Sequence, residues 1–123
     1  MYAPEWLIKF AQDIAGSIVI SSTHGDVIRR YRKKYGMTQK QLSELMGLRR
    51  ETISRIECGT VNPTIHFIHN FSCMLSITEA VRAYRAQGKE IEFPFFDRIA
   101  KELEIPRDKL DQILGIALEE AKI

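Results

Sequence analysis

The chain has 123 residues, 45% hydrophobic and 28% charged, which is enough apolar material for one core and ordinary for a globular domain. No apolar run approaches the length of a membrane span. Two cysteines, Cys58 and Cys73, make no disulfide framework, so with no signal peptide read at the start the expected compartment is a reducing cytoplasm. The net charge of +2 is unevenly spread: Val27 to Arg55 holds nine Lys/Arg against Glu44 and Glu51, a local +7 that leaves −5 for the remainder. A patch of that sign faces a polyanion or is simply a solvated surface.

In chain order, the stretch from Ala3 to Ser21 reads as a helix, with Pro4 suited to its first turn. Leu7, Phe10, Ala11, Ile14 and Ile18 recur at helical spacing and form an apolar stripe beside Trp6. Ser21 to Asp26 is a loop, and Asp26 is expected to cap a helix running to Tyr35, with Val27, Ile28 and Tyr31 inward and Arg29, Arg30, Lys33 and Lys34 outward. Gly36 stops it. Thr38 and Gln41 form a capping box, which opens a helix with Leu42, Leu45 and Met46 on one face. Gly47 ends that helix, and Leu48 is expected to plug the turn. A short helix follows from Arg49 to Glu57, with Ile53 and Ile56 inside and Gly59 closing it.

Asn62-Pro63 forces an extended step. Thr64 caps a helix whose inner face is Ile65, Ile68, Phe71 and Leu75, and Thr78 to Gly88 reads as a further helix. Lys89 to Pro94 is expected to be extended. Two more helices span Phe95 to Leu103 and Pro106 to Ala121, the last with Leu110, Ile113, Leu114 and Ala117 on one stripe. The apolar spacing of Leu42 to Ile56 echoes faintly in Ile99 to Ile113, which lacks the turn glycine and offsets its cations with acids. That second pair is read as a packing unit.

Two short helices joined through a glycine turn are the helix-turn-helix pattern, whose second helix projects from the domain and enters the major groove. Once Ile53 and Ile56 point inward, Arg50, Glu51 and Arg55 occupy the outer face, with Thr52 near them. Arginine offers a fork to guanine O6 and N7, and glutamate accepts from cytosine N4.

Arg32, Gly36, Thr38-Gln39, Leu42, Gly47, Ile53-Ser54, Glu57, Gly59 and Pro63 resemble, in order and spacing, the λ repressor/Cro-type helix-turn-helix domain of the Xre family, over about Asp26 to Leu75. The segment from Pro4 to Ser21 resembles the opening of archaeal regulators of that type, which would work beside a TATA-box machinery. The resemblance implies an all-α chain. A five-helix λ repressor-like domain (26–88) follows an N-terminal helix and loop (1–25), and a C-terminal helical hairpin (89–123) serves dimerisation or a partner. It implies base reading by Arg50, Glu51, Thr52 and Arg55, and backbone contact by Gln39, Thr38, Lys40 and Arg49. Gln39 would also buttress the reading side chains, and Arg32 and Glu57 would form a structural ion pair. Where the family carries Ser or Thr as a cap, Arg49 stands, and Cys58 replaces a usual polar residue. For Lys33, Lys34 and Lys40, solvated lysine weighs against phosphate contact.

Cys58, His66, His69 and Cys73 match no structural zinc spacing, and the face holding His66, His69 and Cys73 is read as solvent-exposed. No nucleophile elbow, phosphate-cradling loop or paired carboxylate supports catalysis. The expected function is a transcriptional regulator, neither enzyme nor metalloprotein and without cofactor. It binds double-stranded DNA as a homodimer, with a transcription-machinery protein as a further partner. The stripes of its first and last helices bury against this domain, a second copy or a partner, so they either complete the core or supply the interface. The alternative is a protein-interaction module of the same fold, a bridging coactivator or antitoxin.

Overall fold

A computed structural model of the chain describes residues 5–88 and 93–121, and in them seven helices and no strand. They are α1 (Glu5–Ile20), α2 (His24–Lys34), α3 (Gln39–Met46), α4 (Arg50–Glu57), α5 (Ile65–Ala86), α6 (Phe93–Glu102) and α7 (Arg107–Ala121). None is long and apolar enough to cross a membrane. Pro4 and residues 89–92 of the expected extended segment lie outside the described residues; Phe93 and Pro94 belong to the first turn of α6.

α5 is the axis on which the rest is assembled, packing against α1 along one side and α7 along another. Its own amphipathicity is weak because it is covered on several sides: Phe67, Phe71, Met74, Leu75, Ile77 and Val81 are all buried. The stripes of α1 (Leu7, Ala11, Ile14, Ile18) and α7 (Leu110, Ile113, Leu114, Ala117) are buried too. All but Ala11 belong to a single core cluster with the buried residues of α2 to α4. Of the alternatives open for these stripes, packing within the chain's own core is the one the structure shows.

Two helices were expected where α5 runs unbroken for 22 residues. Neither Gly nor Pro interrupts the stretch. The polar residues where the second helix was expected to begin satisfy themselves on α5: Ser76 Oγ donates to the Cys73 carbonyl at 2.6 Å and Thr78 Oγ1 to the Met74 carbonyl at 3.2 Å. Ile65, expected inside, is 84% exposed, and Phe67 takes the inward place. Cys73, expected on the solvent face, is buried.

The start of α2 also departs from expectation. The helix begins at His24, and Thr23 is its N-cap without a side-chain bond. Asp26 sits in the first turn and pairs with Arg30 at 3.3 Å instead of capping. Gly25, in this first turn, lies against the end of α4. A Cβ there would lie 2.0 Å from the Ile56 carbonyl oxygen, so only glycine lets α2 pack backbone-to-backbone on the end of α4.

Candidate nucleic-acid interface

The geometry of α3 and α4 follows from their ends. Thr38 Oγ1 accepts from the Gln41 amide at 3.0 Å, and Gln41 Oε1 accepts from the Thr38 amide at 2.9 Å, a closed capping box. At the other end Gly47 adopts φ 67°, with its amide donating to the Glu44 carbonyl and that of Leu48 to Ser43. These are the paired bonds of a Schellman stop, which needs a left-handed residue. Nothing lies within 4 Å of where a Cβ on Gly47 would sit. The left-handed backbone, not steric crowding, is what calls for glycine there. Leu48 does not plug the turn; it is 40% exposed.

Arg49 is the N-cap of α4 in an extended conformation, with no side-chain cap bond, so its guanidinium stays on the exposed surface. Ile53 and Ile56 are buried under α4. That leaves Arg50, Glu51 and Arg55 exposed on the opposite side, with Thr52 half-buried beside them. Lys40 is exposed on α3 and Gln39 is half-buried at its start.

Glu57 is the anchor of this surface. Arg32 Nε donates to Glu57 Oε2 at 2.7 Å and Arg32 Nη2 to Oε1 at 2.9 Å, while Arg32 Nη1 donates to the Met37 carbonyl at 2.8 Å. Gln39 Nε2 adds a bond to Glu57 Oε1 at 3.1 Å. Arg32 and Glu57 are 7% and 8% exposed, so this is a buried, bidentate pair and not a surface salt bridge. It ties α2, the start of α3 and the end of α4 into one rigid frame. Gln39 thereby holds Glu57 within the fold, at the base of the helix that carries the arginines.

Three groups that sequence reasoning passed over also position the surface. Gly25 seats α2 on α4, as described. Tyr35, fully buried, donates through its hydroxyl to Glu79 Oε2 at 2.8 Å, while Arg82 lies over its ring and donates to the Lys34 carbonyl at 2.9 Å. Burial first, then the bond to Glu79, raises the Tyr35 hydroxyl pKa well above its usual value, so it remains a donor that clamps α2 to α5. Lys109 Nζ reaches from α7 to the Glu44 carbonyl at 2.6 Å, a cation at the C-terminal end of α3. A glycine at position 25 or a lysine 65 residues from its partner carries no local sequence signal that could have announced these contacts.

Cys58, the C-cap of α4, is fully exposed. Its thiol pKa is lowered, chiefly by the Thr60 hydroxyl 3.4 Å away. His66 Nε2 is engaged with Asn70 at 3.1 Å, and His69 lies 3.8 Å from Cys73 Sγ. Among the described residues no three His, Cys, Asp or Glu side chains converge on a point where a metal could sit.

A helix-turn-helix family model matches residues 28–80, from α2 into α5. A Methanothermobacter thermautotrophicus protein described as an uncharacterized HTH-type transcriptional regulator is 37% identical over 46 residues, which cover 37% of this chain and 67% of that protein. The chain belongs to the Xre-type helix-turn-helix family. Two Archaeoglobus fulgidus proteins with the same description are also similar. One is 30% identical over 79 residues, 64% of this chain and 34% of its own length. The other is 44% identical over 45 residues, 37% of this chain and 64% of its own. This helix-turn-helix chain thus spans about a third of one relative and less than two thirds of the other. No solved structure matches it.

Proposed function

We propose that this chain is a sequence-specific, DNA-binding transcriptional regulator that inserts α4 into the major groove. The observation that carries this reading is the pairing of exposure with rigidity on α4. Arg50, Glu51 and Arg55 project outward from a helix whose inner side is fixed by Ile53, Ile56 and the Arg32–Glu57 pair. Holding cations exposed on a rigid helix makes physical sense where base edges and phosphates replace water. Thr38, Lys40 and Arg49 would meet the DNA backbone, and Gln39 would orient the reading side chains through its bond to Glu57.

Two copies on a two-fold site would set their reading helices about 34–36 Å apart, one turn of duplex. With the α1 and α7 stripes buried in the core, the contact between copies would fall on apolar side chains still exposed, Val19 and Ile20 at the end of α1 among them. The same side chains favour the second reading, in which a protein of the transcription machinery docks there and the chain serves as an interaction module.

Selection of bound sequences from random duplex DNA, followed by salt titration of the winner, tests the proposal. A palindromic winner whose affinity falls steeply with salt is expected. No enriched sequence, with salt-sensitive binding to any duplex, would reduce the arginines to phosphate clamps.

A further inference from the structure

A cleft of about 500 Å³ opens between the end of α1 and α2. Ser17, Ile20 and Ser21 line it from α1 and the turn after it, and Val27, Arg30, Tyr31 and Lys34 from α2. Gly25 and Arg32 occupy the side of α2 that meets α4, against the Ile56 carbonyl and the Glu57 carboxylate. At about 100° per residue, Val27, Arg30, Tyr31 and Lys34 fall on roughly the opposite side of α2. The cleft is therefore turned away from α4.

Both serine hydroxyls in its wall are engaged within the chain: Ser17 Oγ donates to the Asp13 carbonyl at 2.8 Å, and Ser21 Oγ accepts from the Thr23 amide at 3.0 Å. The charged groups of the wall are both cations. Arg30 holds Asp26 at 3.3 Å in an exposed pair, a weak contact that can be exchanged. Lys34 is exposed, its ammonium 5.8 Å from the Tyr35 ring centroid. Among the described residues no carboxylate lines the cleft. Beside these cations Ile20 is 86% exposed, and Val19, next to it in the chain, is 58% exposed.

We infer that this cleft docks an acidic, amphipathic peptide segment of a partner protein. Its apolar side chains cover Ile20 and Val19 and reach toward Val27 and Tyr31, and its carboxylates pair with Arg30 and Lys34. This segment belongs to the docking partner of the second reading above, on which the inference rests, while base reading by α4 stands or falls with duplex selection. Charge and exposure together select the occupant. DNA phosphates would use the cations but leave Val19 and Ile20 uncovered. A small anion would fit the cleft but not reach Val19. A second copy on a two-fold axis pairs a patch with itself and so would set the α2 cations of both copies against one another. An acidic segment with apolar side chains matches both halves of the surface.

The probe is a short labelled peptide of glutamates with leucines spaced for one helix face, titrated into the full chain at low salt. Two control peptides carry glutamine for every glutamate, or alanine for every leucine. Saturable binding with amide shifts at Ser17, Ile20, Tyr31 and Lys34 is expected, with both controls weaker. Ile20→Ser is expected to weaken binding about tenfold, the worth of burying one such side chain. Lys34→Glu is expected to weaken it about fivefold, and added salt to weaken it further. Both side chains are exposed, so both variants should keep the fold. The selected duplex should leave the peptide bound, since the cleft lies across α2 from α4. No saturable binding, a control that binds equally well, or folded variants that bind as the parent does would each overturn the inference. So would displacement of the peptide by duplex, which would assign the cleft to DNA, or self-association of the chain that Ile20→Ser abolishes, which would assign it to a second copy.

Discussion

The molecule contains the same turn twice. Between α3 and α4, Gly47 sits at φ 67° and its amide and that of Leu48 bond back to Glu44 and Ser43. Between α6 and α7, Glu104 sits at φ 58°, and its amide and that of Ile105 bond back to Lys101 and Ala100. The register agrees residue for residue, so that Ile53 and Ile56 correspond to Leu110 and Ile113, all buried. The outward faces differ in charge at one of three matched positions, Arg55 against Gln112. Where α4 carries Arg50, Glu51 and Arg55, α7 carries Arg107, Asp108 and Gln112. The residue after the turn differs as well: Leu48 is largely solvent-facing, while Ile105 is buried. The anchors contrast too, since α4 is fixed by a buried ion pair and α7 by apolar packing on α5. Helix-turn-helix geometry is thus a packing solution that this chain uses twice, and the outward charge, the residue after the turn and the anchor separate the proposed reader from the brace.

The largest effect should come from the anchor found only in the first pair. Arg32→Met leaves Glu57 buried and uncompensated and is expected to cost about 3–5 kcal/mol in urea unfolding. Arg32→Met combined with Glu57→Met should recover most of that loss. If the single variant is as stable as the parent, the ion pair does not hold the frame. Next comes Gly25→Ala, whose methyl meets backbone rather than a yielding side chain. It should destabilise by about 1–3 kcal/mol or more by thermal melting, with native amide exchange accelerating at the α2–α4 contact.

On the outward faces, Arg55→Ala should weaken binding to the selected duplex by about 1–3 kcal/mol and relax its sequence preference. Gln112→Ala, at the same register on α7, should leave binding unchanged. Equal losses from both would erase the distinction between reader and brace. The smallest effects fall on the turns. Gly47→Ala imposes the left-handed penalty of about 1–2 kcal/mol, and Glu104→Gly relieves part of the same penalty and should raise the melting temperature slightly. A Glu104→Gly variant that melts lower would mean that its side chain, not its backbone, governs that turn.

Much of the first helix pair was legible because its determinants are local. A capping box needs only Thr38 and Gln41, a helix stop only Gly36, Gly47 or Gly59, and an inward face only the spacing of Ile53 and Ile56. The Arg32–Glu57 pair was reached through family resemblance, since nothing local links residues 25 apart. What escaped had both local and tertiary causes. In α5, Ser76 and Thr78 bond locally to carbonyls of their own helix, an arrangement that the sequence pattern does not distinguish from a cap. The first turn of α2 carries Gly25, which meets the backbone of α4. The stripes of α1 and α7 are visible as stripes, but periodicity does not say whether the opposing surface belongs to the same chain or to another. The echo at Ile99 to Ile113 was visible as spacing, yet its turn was hidden by a glutamate doing a glycine's work.

The most direct test is chemical-shift mapping of the full chain on addition of the selected duplex at moderate salt. Perturbations concentrated on the amides of Arg50, Glu51, Thr52 and Arg55, with a weaker set at Thr38, Lys40 and Arg49 and none along the outward face of α7, are the predicted result. Perturbations centred on α7, or on the exposed end of α1, with α4 unmoved, would contradict the assignment of α4 as the reading helix.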